Sequence, residues 1–239
     1  YNALWKYIRP LSTSLEFHVL CNKMVNLSNK KIKELKPKSI VKKLKNIGYN
    51  DHEINSIYKV NKVFTHGNMP YLIMATVARI MLEGIELKNK NKFSVYKTKK
   101  KPFNNESLIL MEENHADESI KKVYMSIKSN IGLPFVNTDY RAFARWPSYF
   151  TMSWQSLLPT ILNKNYEKIV TEMHNFIIKE TLILPNPNII KSNALILAAK
   201  KDKKLNEIRR VVNLFQWLLP GLAVNVSYMR EQIRTKKNN

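Results

Sequence analysis

This chain contains little cysteine, little glycine and no long uninterrupted apolar run. Its single cysteine, Cys21, excludes an internal disulfide framework and any metal site built from several cysteines. A reducing cytoplasm is the simple interpretation of that cysteine count. The longest apolar run, residues 71–82, is interrupted by Arg79 and is too short to cross a bilayer, so we expect no membrane association. The sequence shows no signal peptide.

Negative charge is scarce as well: 18 Asp and Glu residues stand against 40 Lys and Arg residues, a formal charge of +22. A positive field of this size attracts anions, and nucleic acid is one candidate partner. The excess is mainly lysine, in runs at residues 30–45, 88–101 and 234–237. Phosphate recognition with defined geometry favours arginine. We therefore interpret the lysine runs as solvated surface and keep nucleic acid as the less favoured partner.

Apolar residues recur with a helical period almost throughout, so the predicted fold class is all-α. With 44% hydrophobic residues, the chain can bury a sizeable core. Asp51 is expected to cap a helix that ends just before Gly67, and Pro70 is expected to open the next helix, which Gly84 ends. The other expected helices cover residues 39–47, closed by Gly48, and residues 112–128, 139–145, 149–158, 166–184, 192–200, 205–217 and 222–234.

The sequence also suggests an internal duplication. An offset of 151 positions places residues 54–82 on residues 205–233, and both copies are predicted to form a helix, a break containing proline, and a second helix. We predict two similar helical halves related by a pseudo-twofold axis and forming one domain: residues 1–87, a basic linker at 88–111, and residues 112–239. Residues 88–103 are expected to be mobile. The identities in this comparison are Asn55 with Asn206, Ile57 with Ile208, Val60 with Val211, Phe64 with Phe215, and Arg79 with Arg230.

The chain begins at Tyr1 rather than Met, inside an apolar pattern. The first half also lacks a counterpart of the opening helix of the second half, residues 139–146. We therefore expect the N-terminus to be truncated.

Two segments contain the candidate chemistry. Residues 138–147 read Thr-Asp-Tyr-Arg-Ala-Phe-Ala-Arg-Trp-Pro, and Asp139 follows Thr138 at the start of a short amphipathic helix, where rigid backbone can hold a base. The alternative is that Asp139 is a plain N-cap.

The second segment, residues 64–72, reads Phe-Thr-His-Gly-Asn-Met-Pro-Tyr-Leu, and the amide of Asn68 can accept a hydrogen bond from water while donating elsewhere. Its alternative is a turn residue, although the duplication places Leu219 at the matching position.

These two segments resemble the signature segments of the group I 2-haloacid dehalogenase (DehI) family. The resemblance implies hydrolysis of the carbon–halogen bond of short 2-haloacids of either hand. Water attacks C2 directly, without a covalent intermediate. Asp139 would be the general base and Asn68 would hold the water. No metal and no organic cofactor is expected.

The remaining site predictions concern substrate binding. Thr138, together with helix N-termini, could cradle the substrate carboxylate, and Tyr140 and Phe143 are expected either to line the pocket or to belong to the core. The expected partner is a small anionic haloacid, drawn in by the positive field, and a homodimer is left open.

Three hypotheses of different classes follow. A hydrolase predicts that Asp139 and Asn68 face one buried pocket between the halves. A protein associated with nucleic acid predicts one contiguous lysine-rich face and binding that weakens steeply with salt. A non-catalytic scaffold with the same fold predicts that Asp139 caps its helix at the surface. The resemblance favours the hydrolase.

Overall fold

The computed structural model describes residues 1–89, 91, 94–96, 108–186 and 190–235. Regular secondary structure in this part of the chain is entirely helical, apart from the isolated bridges of Ser14 with Val95 and of Asn89 with Pro185. The predicted all-α class is confirmed. None of the described helices is long and apolar enough to span a membrane. The helices are α1 Asn2–Ile8, α2 Leu15–Lys31, α3 Val41–Asn46, α4 Asp51–Leu82, α5 Glu118–Ile131, α6 Thr138–Phe143, α7 Pro147–Ile161, α8 Lys164–Leu182, α9 Ser192–Asp202 and α10 Leu205–Gln232, with 3₁₀ helices at Arg9–Thr13 and Ile32–Leu35.

The chain divides into two compact units. Unit 1 comprises residues 1–31, 66–100 and 168–224, and unit 2 comprises residues 32–65, 101–167 and 225–239. Each unit therefore combines sequence from both sides of the expected linker at 88–111. Most of that linker, including residues 97–107, lies outside the described residues, and so does much of the segment predicted to be mobile. The internal duplication and the domain boundaries derived from it stay predictions.

In unit 1, α9 and α10 fix the ends of two other helices. Asp202, the last residue of α9, accepts hydrogen bonds from the backbone N–H groups of Ala3 and Leu4 at 2.9 and 2.8 Å, so it caps the start of α1. On α10, Arg209 donates from Nη2 to the carbonyl of Leu82 at 2.7 Å, at the end of α4. These contacts satisfy backbone groups that the first and last turns of a helix leave without helical partners.

In unit 2, α7 packs against α5 and α6. Two polar contacts fix α7 among its apolar neighbours. The Trp154 indole donates to Ser126 Oγ on α5 at 3.0 Å, and the Tyr149 hydroxyl donates to Asn61 Oδ1 on α4 at 3.1 Å. Buried indole and tyrosine polar groups normally find partners in this way, because leaving them unpaired in a core is costly.

Two predicted helix breaks are wrong. Residues 51–82 form one continuous helix with Pro70 inside it, and residues 205–232 form another with Pro220 inside it. Proline cannot donate a helical hydrogen bond and usually kinks or ends a helix. Here the turns beside Pro70 are held by tertiary packing, since Met69, Leu72 and Ile73 are fully buried. Burial of a continuous apolar face outweighs the local preference of a single residue.

The predicted cap of α4 is displaced by one residue. Asn50, rather than Asp51, accepts from the backbone N–H of Glu53 at 2.9 Å, and the Glu53 carboxylate accepts in return from the N–H of Asn50 at 3.0 Å. This reciprocal pair is a capping box. The expected helix ends at Gly48 and Gly84 are confirmed, since both have the left-handed backbone typical of a C-terminal glycine, with φ of +101° and +89°.

Gly67 differs from those two glycines, and this difference gives a stability prediction. It lies inside α4, and a Cβ at this position meets nothing within 4 Å. We expect Gly67→Ala to raise the free energy of unfolding by roughly 0.5–1 kcal/mol, since alanine loses less backbone entropy in a helix. Gly84→Ala is the matched control, expected to lower it by about 1 kcal/mol because its φ is positive. Urea unfolding measures both. Equal destabilisation by the two variants would contradict a continuous helix through Gly67.

Candidate active site

Helix α6 presents the predicted base as a buried group. The helix spans only six residues, its N-cap is Asn137, and the Asn137 side chain makes no capping hydrogen bond. Asp139 is the second residue of the helix and is only 4% exposed. The alternative that Asp139 is a surface cap is therefore wrong, both in position and in burial. Burial of a charged carboxylate costs free energy. A buried aspartate on a short helix is therefore a candidate catalytic residue.

The buried residues of α6 include the two aromatic residues predicted for substrate binding. Tyr140 and Phe143 are completely buried. The Phe143 ring meets the rings of Phe64 and Tyr149 edge-on, with centroids 5.6 and 6.1 Å apart. The Tyr140 ring meets Trp154 in the same way at 5.9 Å. Edge-to-face pairs at these separations stabilise a core beyond the area they bury. Both residues thus anchor α6 in the aromatic core of unit 2.

A chain of hydrogen bonds extends from the Tyr140 hydroxyl into the core. Asn225 on α10 donates from Nδ2 to the Tyr140 hydroxyl at 2.9 Å, and the Tyr166 hydroxyl on α8 donates to Asn225 Oδ1 at 2.8 Å. Burial raises the pKa of Tyr140 well above its ordinary value, and the neighbouring charge of Asp139 acts in the same direction. Burial also raises the pKa of Tyr166. Both hydroxyls therefore stay protonated, so that Tyr166 can donate to Asn225 and Tyr140 accepts from it as a neutral group.

The outer face of α6 is tied to the loop before α5. Arg141 donates from Nη1 to both carboxylate oxygens of Glu112 at 2.7 Å, and its carbonyl accepts from the backbone N–H of Met111 at 3.0 Å. Thr138, predicted to cradle the substrate carboxylate, is exposed, and its hydroxyl accepts from Arg141 Nη2 at 3.4 Å. Thus α6 is held on one face by aromatic packing and on the other by an ion pair.

Asn68, the second predicted catalytic residue, lies in unit 1, whereas Asp139 lies in unit 2. It occupies the middle of α4, two residues before Pro70, and is 8% exposed. Its interpretation as a turn residue is wrong, because the helix continues through it. A buried amide in a helix interior costs free energy unless it is hydrogen-bonded. The burial of Asn68 therefore makes its polar side chain a candidate for a functional role.

The sequence analysis missed three polar residues of unit 2. Asn225 and Tyr166 form the network around Tyr140, but neither lies in a recognisable motif, and only the tertiary contact identifies them. Asn137 is the third: it is 9% exposed, and its Oδ1 is buried without a hydrogen-bond partner in the described part of the chain. Its position directly after the apolar residues 133–136 and two residues before Asp139 was the available signal.

No cluster of three or more His, Cys, Asp and Glu side chains that could hold a metal ion occurs among residues 1–89, 91, 94–96, 108–186 and 190–235. Besides the ion pair of Arg141 with Glu112, the α6 segment contains the buried carboxylate of Asp139. A carboxylate held by rigid backbone can accept a proton from a polar molecule.

Comparison with known proteins gives the family. A curated (R)-2-haloacid dehalogenase from Rhizobium sp. (strain NHG3) is 34% identical over 195 residues, which are 81% of this chain and 75% of that protein. The chain belongs to the (R)-2-haloacid dehalogenase family. A second member, from Pseudomonas putida, is 30% identical over 197 residues, or 80% of this chain and 64% of that protein. The resemblance stated from the two sequence segments is confirmed, although no protein-family model matches the chain.

Solved structures agree with this membership. A D-2-haloacid dehalogenase mutant in complex with D-2-CPA is similar to this chain with a TM-score of 0.81 and 25% identity, covering 97% of this chain and 80% of that one. A D-2-haloacid dehalogenase in complex with L-LA gives the same TM-score at 26% identity, covering 97% and 81%. The family's all-helical fold is therefore the fold of this chain.

Proposed function

We propose that this protein hydrolyses the carbon–halogen bond of short 2-haloacids and prefers the (R) enantiomer. One observation carries the proposal: within a chain of this family, the carboxylate of the α6 segment is buried rather than used as a surface cap. The preference for the (R) hand follows the names of the curated relatives, both of which are (R)-2-haloacid dehalogenases. This proposal is narrower than the expectation from the sequence resemblance, in which both enantiomers are substrates.

In the proposed reaction, Asp139 is the general base. Its carboxylate takes a proton from a water molecule as the water oxygen attacks C2, the carbon–halogen bond breaks, and the halide leaves with the bonding electron pair. The products are the 2-hydroxyacid, a halide ion and a protonated Asp139, which then releases its proton to solvent. The role of general base requires the ionised form of Asp139, which can accept the proton that the water loses. Holding base and water in line replaces a bimolecular encounter by a positioned one.

The other predicted residues keep their roles as parts of the proposal. Asn68 orients the attacking water through its amide, and Thr138 contributes a hydroxyl to carboxylate recognition. Tyr140 and Phe143 support Asp139 from the aromatic core. Because both side chains are completely buried, their proposed contribution is structural rather than direct contact with the substrate. The homodimer and the association with nucleic acid stay predictions, and no contact described above favours either.

The test is halide release from (R)- and (S)-2-chloropropionate by the purified chain. We expect release from the (R) substrate and formation of (S)-lactate, because direct displacement inverts C2. A single turnover in H₂¹⁸O separates the two chemistries: with direct attack, the first lactate formed already contains ¹⁸O. Lactate containing ¹⁶O in that turnover would mean that a carboxylate attacked first, and no release from either enantiomer would contradict the proposed function.

A further inference from the structure

The hydrogen-bond chain Tyr140–Asn225–Tyr166 joins three helices at a single amide. Asn225 lies on α10, Tyr140 on α6 and Tyr166 on α8, and all three are buried in unit 2. The amide uses one donor and one acceptor, at 2.9 and 2.8 Å, to satisfy two tyrosine hydroxyls. Leucine branches at Cγ like asparagine and has the same number of heavy atoms, with bulkier methyl groups, but it supplies neither group. A single substitution can therefore remove the junction without emptying the space.

Helix α6 depends on such outside contacts for its position. A helix of six residues is far too short to be stable by itself. The Asn137 side chain makes no capping hydrogen bond to it. Its placement is therefore set by the aromatic packing of Tyr140 and Phe143, by the ion pair of Arg141, and by the hydroxyl of Tyr140. The hydroxyl contact is directional, unlike apolar packing, and it belongs to the residue next to Asp139.

We propose that Asn225 is a positioning residue: through the Tyr140 hydroxyl it fixes α6 and thereby the carboxylate of Asp139. The role in catalysis rests on the proposed function. Asn225 itself does not touch the reacting atoms. The network contains no charged member near neutral pH, because burial holds the pKa of both tyrosines above their ordinary values.

The kinetic test compares Asn225→Leu with Tyr228→Phe. Tyr228 lies one turn further along α10 in the same unit, and its hydroxyl contacts Ser156 of α7, at 3.3 Å from Oγ and 3.4 Å from the carbonyl. It therefore controls for the loss of a polar contact on α10 whose partner lies on α7 rather than on α6. We expect Asn225→Leu to lower kcat by ~10–100-fold with little change in KM, since a small misplacement of a catalytic group costs this much. Tyr228→Phe should stay within about twofold of the parent.

A second readout does not need activity. Amide hydrogen exchange of residues 138–143 should accelerate in Asn225→Leu and stay at the parent level in Tyr228→Phe, because local opening depends on the contacts that hold the segment. Tyr166→Phe removes only one of the two hydrogen bonds and should give an intermediate effect. It also serves as the test variant if Asn225→Leu does not fold.

The outcomes separate this inference from the proposed function. Faster exchange at α6 together with a kcat loss confined to the network variants supports the inference. If Asn225→Leu matches Tyr228→Phe in both exchange and kcat, the inference is overturned while the dehalogenase proposal stands. If the parent releases no halide, the proposed function fails, and exchange at α6 alone then decides whether Asn225 holds that helix.

Discussion

Replacing Asp139 by asparagine is expected to lower kcat for halide release by about 10²–10⁴-fold, the usual contribution of a positioned general base. Asparagine has the shape of aspartate but cannot accept a proton from water at neutral pH. The buried position of Asp139 makes the change specific, since an amide of the same size leaves the packing of α6 intact. The measurement is halide release from (R)-2-chloropropionate, together with a circular dichroism melt.

Asp117→Asn provides the matched control for that substitution. Asp117 lies in the same unit and caps α5, where its Oδ1 accepts from the backbone N–H of Ile120 at 2.9 Å. Asparagine is also a good N-cap, so this exposed change should leave both activity and folding near the parent level. A folded Asp139→Asn protein that keeps more than a tenth of the parent rate would show that the base is another group.

Truncating Phe143 to alanine is expected to lower the free energy of unfolding by about 3–5 kcal/mol. The Phe143 ring is completely buried between Phe64 of α4 and Tyr149 of α7, in edge-on contact with both. Removal of the ring leaves a cavity that the rigid neighbouring rings cannot fill, so the transfer and cavity costs add. Urea unfolding monitored by circular dichroism gives the value.

This substitution also separates the two interpretations of Phe143. If Phe143 were only a wall of the substrate pocket, alanine would raise KM and leave stability within about 1 kcal/mol of the parent, as for most surface changes. Phe215→Ala is the control, because Phe215 is a phenylalanine of α10 with an exposed ring and should cost far less. A small stability loss combined with a raised KM would reject the core assignment.

The helices that were predicted well are those in which local signals and tertiary packing agree. Gly48 and Gly84 end helices as expected, since glycine alone takes a positive φ without strain. The predicted helix at 112–128 begins later, at Glu118, because Asp117 caps it, and the residues before that cap lie outside the helix. Caps shift boundaries by a few residues without changing whether a helix exists.

The prolines show where local reasoning fails. Pro70 and Pro220 are strong breakers by their chemistry, yet both lie inside long helices. No local signal in the sequence states how much burial the flanking residues will gain, and that gain decides whether the helix continues. The same limit applies to Asn225 and Tyr166, which share no motif with Tyr140 although all three are joined by hydrogen bonds in the folded chain.

The sequence by itself determined the all-α class, most of the helices, the family, and Asp139 and Asn68 as candidate residues, because periodicity and short motifs are local properties of the chain. Only the tertiary structure decided that Asp139 is buried rather than a surface cap, that Tyr140 and Phe143 belong to an aromatic core, and that Asn225 joins three helices. Burial and hydrogen bonding between distant residues depend on which helices pack together, and no local pattern contains that information.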